Sequence, residues 1–209
     1  MKTLSELVTE YRQIIDQPNT AIITAAMANR DINRSANELY TLMVERNPRY
    51  FLTSATVTTV AATAFLDLPT DCTKPNKLLD SDSIILPHRD LESFNYYLAS
   101  GKPVAWDTVG RRFMFSPVPD STYSYTAYYT AMPDDMSLST DTPTFEPGYE
   151  NIIALKAAIN SQMIRDEDVR DKIQFEYSAS LRAFLNVVGT SQTGASRRVI
   201  NSDYDMWDV

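Results

Sequence analysis

Between Gly101 and Pro147 the chain reads GKPVAWDTVGRRFMFSPVPDSTYSYTAYYTAMPDDMSLSTDTPTFEP, and no helix fits Gly101–Thr130. Val104, Trp106 and Thr108 alternate with Ala105, Asp107 and Val109, the two-residue period of a strand. Gly110-Arg111 makes a turn, and Arg112–Phe115 a short second strand. Ser116–Asp120, with two prolines and an acid, reads as a loop. Ser121–Thr130 is a long β run in which Tyr123, Tyr125 and Tyr128 stand near the same period. Aromatic and β-branched side chains favour such a half-buried pleated surface. The expectation is an antiparallel meander with tight turns, most of its tyrosines in a sheet core.

Helical periodicity lies on both sides of this unit. Thr3 and Glu6 fit a capping box. Leu4, Leu7, Val8, Tyr11, Ile14 and Ile15 then recur at helical spacing as far as Asp16. A second helix is expected from a cap at Asn19 or Thr20, with Ile22, Ile23, Ala26, Ile32, Ala36, Leu39, Tyr40 and Met43 as its apolar stripe. It ends near Arg46, because the residue before Pro48 avoids the α region. A third helix is expected over Tyr149–Arg165, with Ile152, Ile153, Ala157, Ile159, Met163 and Ile164 inward. A fourth runs from Val169 to Val187 on the seam Val169, Ile173, Tyr177, Leu181, Phe184 and Val188, with Gly189 as its C′ stop. Packing is the plain reading of the first two.

The intervening chain is mostly strand. Thr, Val and Ala dominate Ser54–Ala64, giving strands near 54–60 and 63–67 with a turn at Ala61-Ala62. Lys77–Leu86 is a further strand-like stretch broken at Asp80-Ser-Asp82, and Pro87–Ala99 reads as a short helix. Met132–Gly148, with prolines at 133, 143 and 147, is a long loop expected to run over the surface. The fold class is therefore α+β: an antiparallel helical bundle of about four helices (residues 1–52 and 148–188), an inserted antiparallel β domain (53–147) and an extended C-terminal tail (189–209). That tail opens on Ser, Gln, Thr and Gly and then returns to apolar groups it cannot bury alone. Either a partner surface covers them or the tail folds back on its own domain.

Charge narrows the function. The net charge is −8, and residues 53–147 carry six basic against twelve acidic groups. Such a surface repels phosphate and argues against a tight grip on nucleic acid. One cysteine, Cys72, precludes an internal disulfide framework. No apolar run approaches a membrane span, and Met1–Glu10 lacks the features of a secretory signal, so no membrane partner is expected.

Catalytic material is sparse. His88 is the only histidine and sits where a helix is expected to start, a capping or solvated position. Cys72 has no base nearby in sequence, and there is no phosphate-binding glycine loop, HExxH or CxxC. Carboxylates gather at Asp67 and Asp71, at Asp80 and Asp82, and at Asp166, Glu167, Asp168 and Asp171. Such groups can hold a hard cation or do acid–base work, but turn and helix capping explain them more simply, with Asp168 to Lys172 a favourable i,i+4 pair. No catalytic, metal or cofactor residue is assigned, and no cofactor is expected.

The order of segments resembles a known family. It rests on Leu68-Pro-Thr-Asp71 after a strand, Phe115-Ser-Pro-Val-Pro-Asp120, and a tyrosine-rich strand ending Ala127-Tyr-Tyr-Thr-Ala-Met-Pro133. Leu138, Asp141-Thr-Pro143, a helix opening Gly148-Tyr-Glu-Asn-Ile-Ile and the tail Arg198-Val-Ile-Asn-Ser-Asp-Tyr-Asp205 complete it. Nearly the whole chain resembles the head-to-tail adaptor (connector, head-completion) proteins of tailed bacteriophages. The resemblance implies a structural, non-enzymatic virion protein at the head–tail junction, made in the host cytoplasm. It would form a ring, a homo-dodecamer as a rule, beneath the portal protein, extend the DNA channel, help retain the genome and dock tail or nozzle proteins. DNA would pass without sequence-specific binding. The tail residues Arg197, Arg198, Val199, Ile200, Tyr204 and Trp207 would contact the portal. The competing expectations are a tail terminator or tail-tube subunit, which are sheet-dominated, and a metal-dependent hydrolase using Asp67, Asp71, Asp80 or Asp82.

Overall fold

The computed structural model describes residues 1–16, 22–90, 92, 100–161, 163–164 and 166–190. Along them run α1 (Leu4–Ile14), α2 (Ala25–Arg46), β1 (Leu52–Thr58), β2 (Phe65–Asp67), β3 (Cys72–Leu79), β4 (Ile85–Leu86), β5 (Ala105–Val109), β6 (Arg112–Ser116), β7 (Ser124–Ala131), α3 (Asn151–Ser161) and α4 (Glu167–Thr190). The fold is α+β with antiparallel sheets.

Both halves of the α1 capping box form: the Glu6 N–H donates to Thr3 Oγ1 at 3.3 Å, and the Thr3 N–H donates to the Glu6 carboxylate at 2.7 Å. The second helix starts later than its apolar stripe suggests. Thr24 is its cap, its hydroxyl accepting from the Met27 N–H. Asn19 and Thr20 lie outside the described residues. Ile22 and Ala26 are exposed, and Ile23 is buried ahead of the helix. The buried face of α2 is Ala28, Ile32, Ser35, Ala36, Leu39, Tyr40 and Met43.

The third helix is shorter than expected and buries Ile152, Ile153, Ala154, Leu155, Ala157 and Ala158. It touches α1, α2 and α4, which is why it is apolar on most sides. Ile159 is only partly buried and Met163 is exposed. The seam of α4 holds at Ile173, Tyr177, Phe184 and Val188, with Leu181 partly covered and Val169 exposed. Gly189 lies inside this helix and does not stop it. A β-carbon there would stand 3.0 Å from Arg46 Nε, so the glycine admits the neighbouring side chain.

The strands make two sheets, one ordered β1-β7-β3-β4 and the other β2-β6-β5. The expected three-strand meander is only half realised. The β5–β6 hairpin turns at Gly110 (φ 62°), but β7 leaves it and pairs with β1 and β3 in the other sheet. Pro117 and Pro119 lack N–H donors, so beyond β6 only the carbonyls continue, Val118 accepting from Gly101 and Pro119 from Ala62. The crossing lets β7 direct Tyr125, Ala127 and Tyr129 inward, whereas Tyr128 lies on the opposite face under Lys77 Nζ, 4.5 Å from its ring centre. Strand limits also shift: β1 starts at Leu52, β2 at Phe65 and β3 at Cys72.

Two hydrophobic cores result. Val57, Cys72, Leu78, Leu86, Trp106, Phe113, Phe115, Tyr125, Ala127 and Tyr129 form one between the sheets. The other is lined by the helices and also takes in Phe51, Met136 and Phe145. The Met132–Gly148 loop therefore does not simply run over the surface. Its Phe145 stacks on Phe184 with ring centres 4.5 Å apart, and burial of that aromatic area offsets part of the cost of ordering the loop. No helix among the described residues is long and apolar enough to cross a membrane.

Candidate partner-binding surface

The six tail residues expected to meet a partner, Arg197, Arg198, Val199, Ile200, Tyr204 and Trp207, lie outside the described residues. Their point of departure is well defined. The Asn47 side-chain amide donates to the Val188 carbonyl at 3.3 Å, and Gly189 faces Arg46. Phe184 and Val188 are fully buried beneath this junction. The last turn of α4 is thus pinned to the segment that joins α2 to β1.

A second surface was not legible in sequence. The outer face of α2 and the start of the Met132–Gly148 loop enclose an open groove of about 600 Å³, its walls including Arg30, Arg34, Asn37 and Asp135. Asn33 builds it, donating to the Met136 carbonyl at 2.9 Å and accepting from the Met136 N–H at 3.0 Å. A side-chain amide that mimics a strand partner is not visible until residues 103 positions apart meet. Arg34 and Lys156 both reach Glu38, at 3.2 Å each. Asn160 and Lys156 hold the Glu38 carboxyl below its ordinary value, against the upward push of burial. Elsewhere Phe175 stands 77% exposed on α4, two positions off each neighbouring seam residue. That offset was readable from the spacing.

Several of the candidate catalytic groups make structural contacts. His88 does not open a helix: it bridges to Trp106, and the Arg89 N–H donates to the Trp106 carbonyl. Residues 91 and 93–99 of the expected Pro87–Ala99 helix lie outside the described residues. The His88 ring meets Trp106 edge-on at 4.8 Å, and its Nε2 lies 3.1 Å from Asp107 Oδ1. Trp106 donates its indole N–H to the Leu86 carbonyl at 2.9 Å. This clasp joins the edges of the two sheets. Cys72 is buried, and burial raises its thiol, which leaves it less nucleophilic.

Asp80 closes a turn. It accepts from the N–H groups of Ile84 and Asp82 at 2.9 Å each and faces Lys102 Nζ at 3.3 Å. The Ile84 hydrogen bond, helped by Lys102, holds its carboxyl below the usual range. Asp71 accepts from the Tyr129 hydroxyl at 3.1 Å. Asp166 caps α4 by accepting from the N–H groups of Asp168 and Val169, and the ion pair at that end is Arg170 with Glu167, 3.7 Å apart, in place of Asp168 with Lys172. Among the described residues no three carboxylate, histidine or cysteine groups converge on a point where a metal ion would sit.

A family model described as SU10 adaptor protein matches residues 2–202. No curated protein matches the chain.

Proposed function

The chain belongs to the SU10 adaptor protein family, a family of phage head-to-tail adaptors, and on that premise we propose that it is a structural virion protein forming a ring beneath the portal. In this reading the ring extends the DNA channel, helps retain the genome and presents a face to tail or nozzle proteins. Residues 1–52 and 148–188 act as a helical bundle domain, 53–147 as a β-rich insertion, and 189–209 as an extended tail. Arg197, Arg198, Val199, Ile200, Tyr204 and Trp207 contact the portal protein.

The observation that carries the proposal is the family match over residues 2–202, nearly the full chain. Two physical features support it. A net charge of −8 per copy suits a wall past which DNA slides without lasting phosphate contacts. Asp71, Asp80, Asp166, His88 and Cys72 are engaged in turn, cap and core contacts, which suits a structural part. The 22- and 24-residue helices α2 and α4 disfavour the sheet-dominated tail-tube reading.

Quantitative mass spectrometry of purified particles tests this. Copy number equal to that of the portal protein is the expected result. Absence of the chain from the particle would remove the adaptor reading.

A further inference from the structure

β1 is an edge strand without the protections that edge strands carry. Among the described residues it pairs with β7 alone, in an unbroken register from Leu52↔Thr130 to Thr58↔Ser124. The Thr59 N–H donates to the Tyr123 carbonyl, and the Ala131 N–H donates to the Phe51 carbonyl. Odd-numbered positions therefore face β7, and by antiparallel alternation the N–H and C=O groups of Ser54, Thr56 and Thr58 point the other way. No described residue bonds to them on that side. All three residues are exposed.

The other sheet edges are blunted. β4 has two residues and β2 three. The outer side of β5 is covered where the Trp106 N–H donates to Pro87 and the Arg89 N–H donates to Trp106. β1 has seven residues, no proline and no bulge, and Tyr50–Leu66 around it contains no charged residue. Natural proteins place lysine, proline or a bulge on such an edge, because an open ladder recruits any extended chain. An edge left bare in this way is built to receive a strand.

The occupant follows from where α4 ends. Its last turn is bonded to Asn47 and packed on Arg46. Leu52 lies only five residues beyond Asn47, at most about 18 Å of chain. The end of α4 thus lies against the segment that leads into β1. Val199-Ile200, the one adjacent β-branched pair in residues 191–209, lies nine residues past Thr190 and within about 30 Å of extended reach. β1 itself is about 23 Å long.

We propose that the chain's own C-terminal segment, centred on Val199-Ile200, adds to the β1 edge of the free protein and covers Ser54, Thr56 and Thr58. The proposal goes beyond the adaptor reading and stands without it. In an assembly the same segment exchanges this edge for a partner surface, so the edge acts as its storage site.

Hydrogen–deuterium exchange on the full chain, resolved by amide, is the test. The Ser54, Thr56 and Thr58 amides should exchange at least about a hundredfold slower than unprotected amides, independently of protein concentration. Val199→Pro with Ile200→Pro removes two donors from the added strand. That variant should return the three amides to unprotected rates while Ala55, Val57 and Thr59, bonded to β7, stay slow. Thr56→Pro blocks the edge from the other side without touching the β7 ladder. It should make the segment after Thr190 readily cut by protease. Unprotected rates in the unmodified chain would overturn the proposal. So would protection that survives the double substitution, or protection that grows with concentration, the signature of a second copy on the edge.

Discussion

Asn33 and Asn37 show how the same residue type carries different weight one helical turn apart. The Asn33 amide satisfies both backbone groups of Met136, a residue that is buried against the helical core. The Asn37 amide reaches the exposed Asp135 carboxylate at 2.8 Å, where water competes. Leaving buried backbone groups unpaired costs more than losing a solvated contact. Asn33→Ala is expected to destabilise by about 1–3 kcal/mol, and Asn37→Ala by under about 1 kcal/mol. Urea unfolding midpoints of the two variants check the contrast, and equal losses would contradict the clasp.

Among the elements, α2 shows how a cap sets a boundary that hydrophobic spacing cannot. Ile22 and Ile23 continue the apolar pattern, yet the helix begins at Ala25 because Thr24 adopts an extended backbone and accepts from the Met27 N–H. Thr24→Ala removes that acceptor and is expected to cost about 1 kcal/mol, measured by thermal unfolding. Thr24→Asp should retain most of the stability, since its carboxylate caps equally well and favours the positive end of the helix. The β elements carry the opposite lesson. Local alternation identifies β5, β6 and β7 as strands, but pairing depends on which face each must cover.

Across the whole molecule, buried tyrosines tie both cores to pH. Burial pushes the Tyr11, Tyr40 and Tyr125 hydroxyls up to about 12, and burial with the Glu146 hydrogen bond raises Tyr50 as well. Tyr11 and Tyr40 belong to the helical core, Tyr125 to the strand core. An acid whose folded value exceeds its ordinary value of 10.0 favours the protonated fold. That stability is complete below pH 10 and is lost as pH rises from there toward 12. Alkaline titration should therefore show tyrosinate absorbance rising together with loss of helix signal. Independent, gradual ionisation with the helices intact would contradict it. A hydrogen bond ties β7 to the segment between α2 and β1: the Thr130 hydroxyl donates to the Pro48 carbonyl at 2.7 Å.

By itself the amino-acid sequence determined the α+β class, the capping box of α1, the end of α2 before Pro48, the seam Ile173–Tyr177–Phe184–Val188 and the family resemblance. Each of these rests on contacts within a turn or two, or on the order of segments, and both are written along the chain. Tertiary structure alone decided the partners of β7, the burial of Met136 and Phe145, the role of Gly189 and the place of His88 against Asp107. It also decided which strand edge lacks a partner among the described residues. These depend on residues dozens of positions apart competing for the same apolar surface and the same backbone donors, and a linear pattern does not record who wins. In the sequence, Val199, Ile200, Tyr204 and Trp207 stand out as apolar groups that a short tail cannot bury alone. The ground they start from, Asn47 and Arg46 against the end of α4, became visible only in the fold.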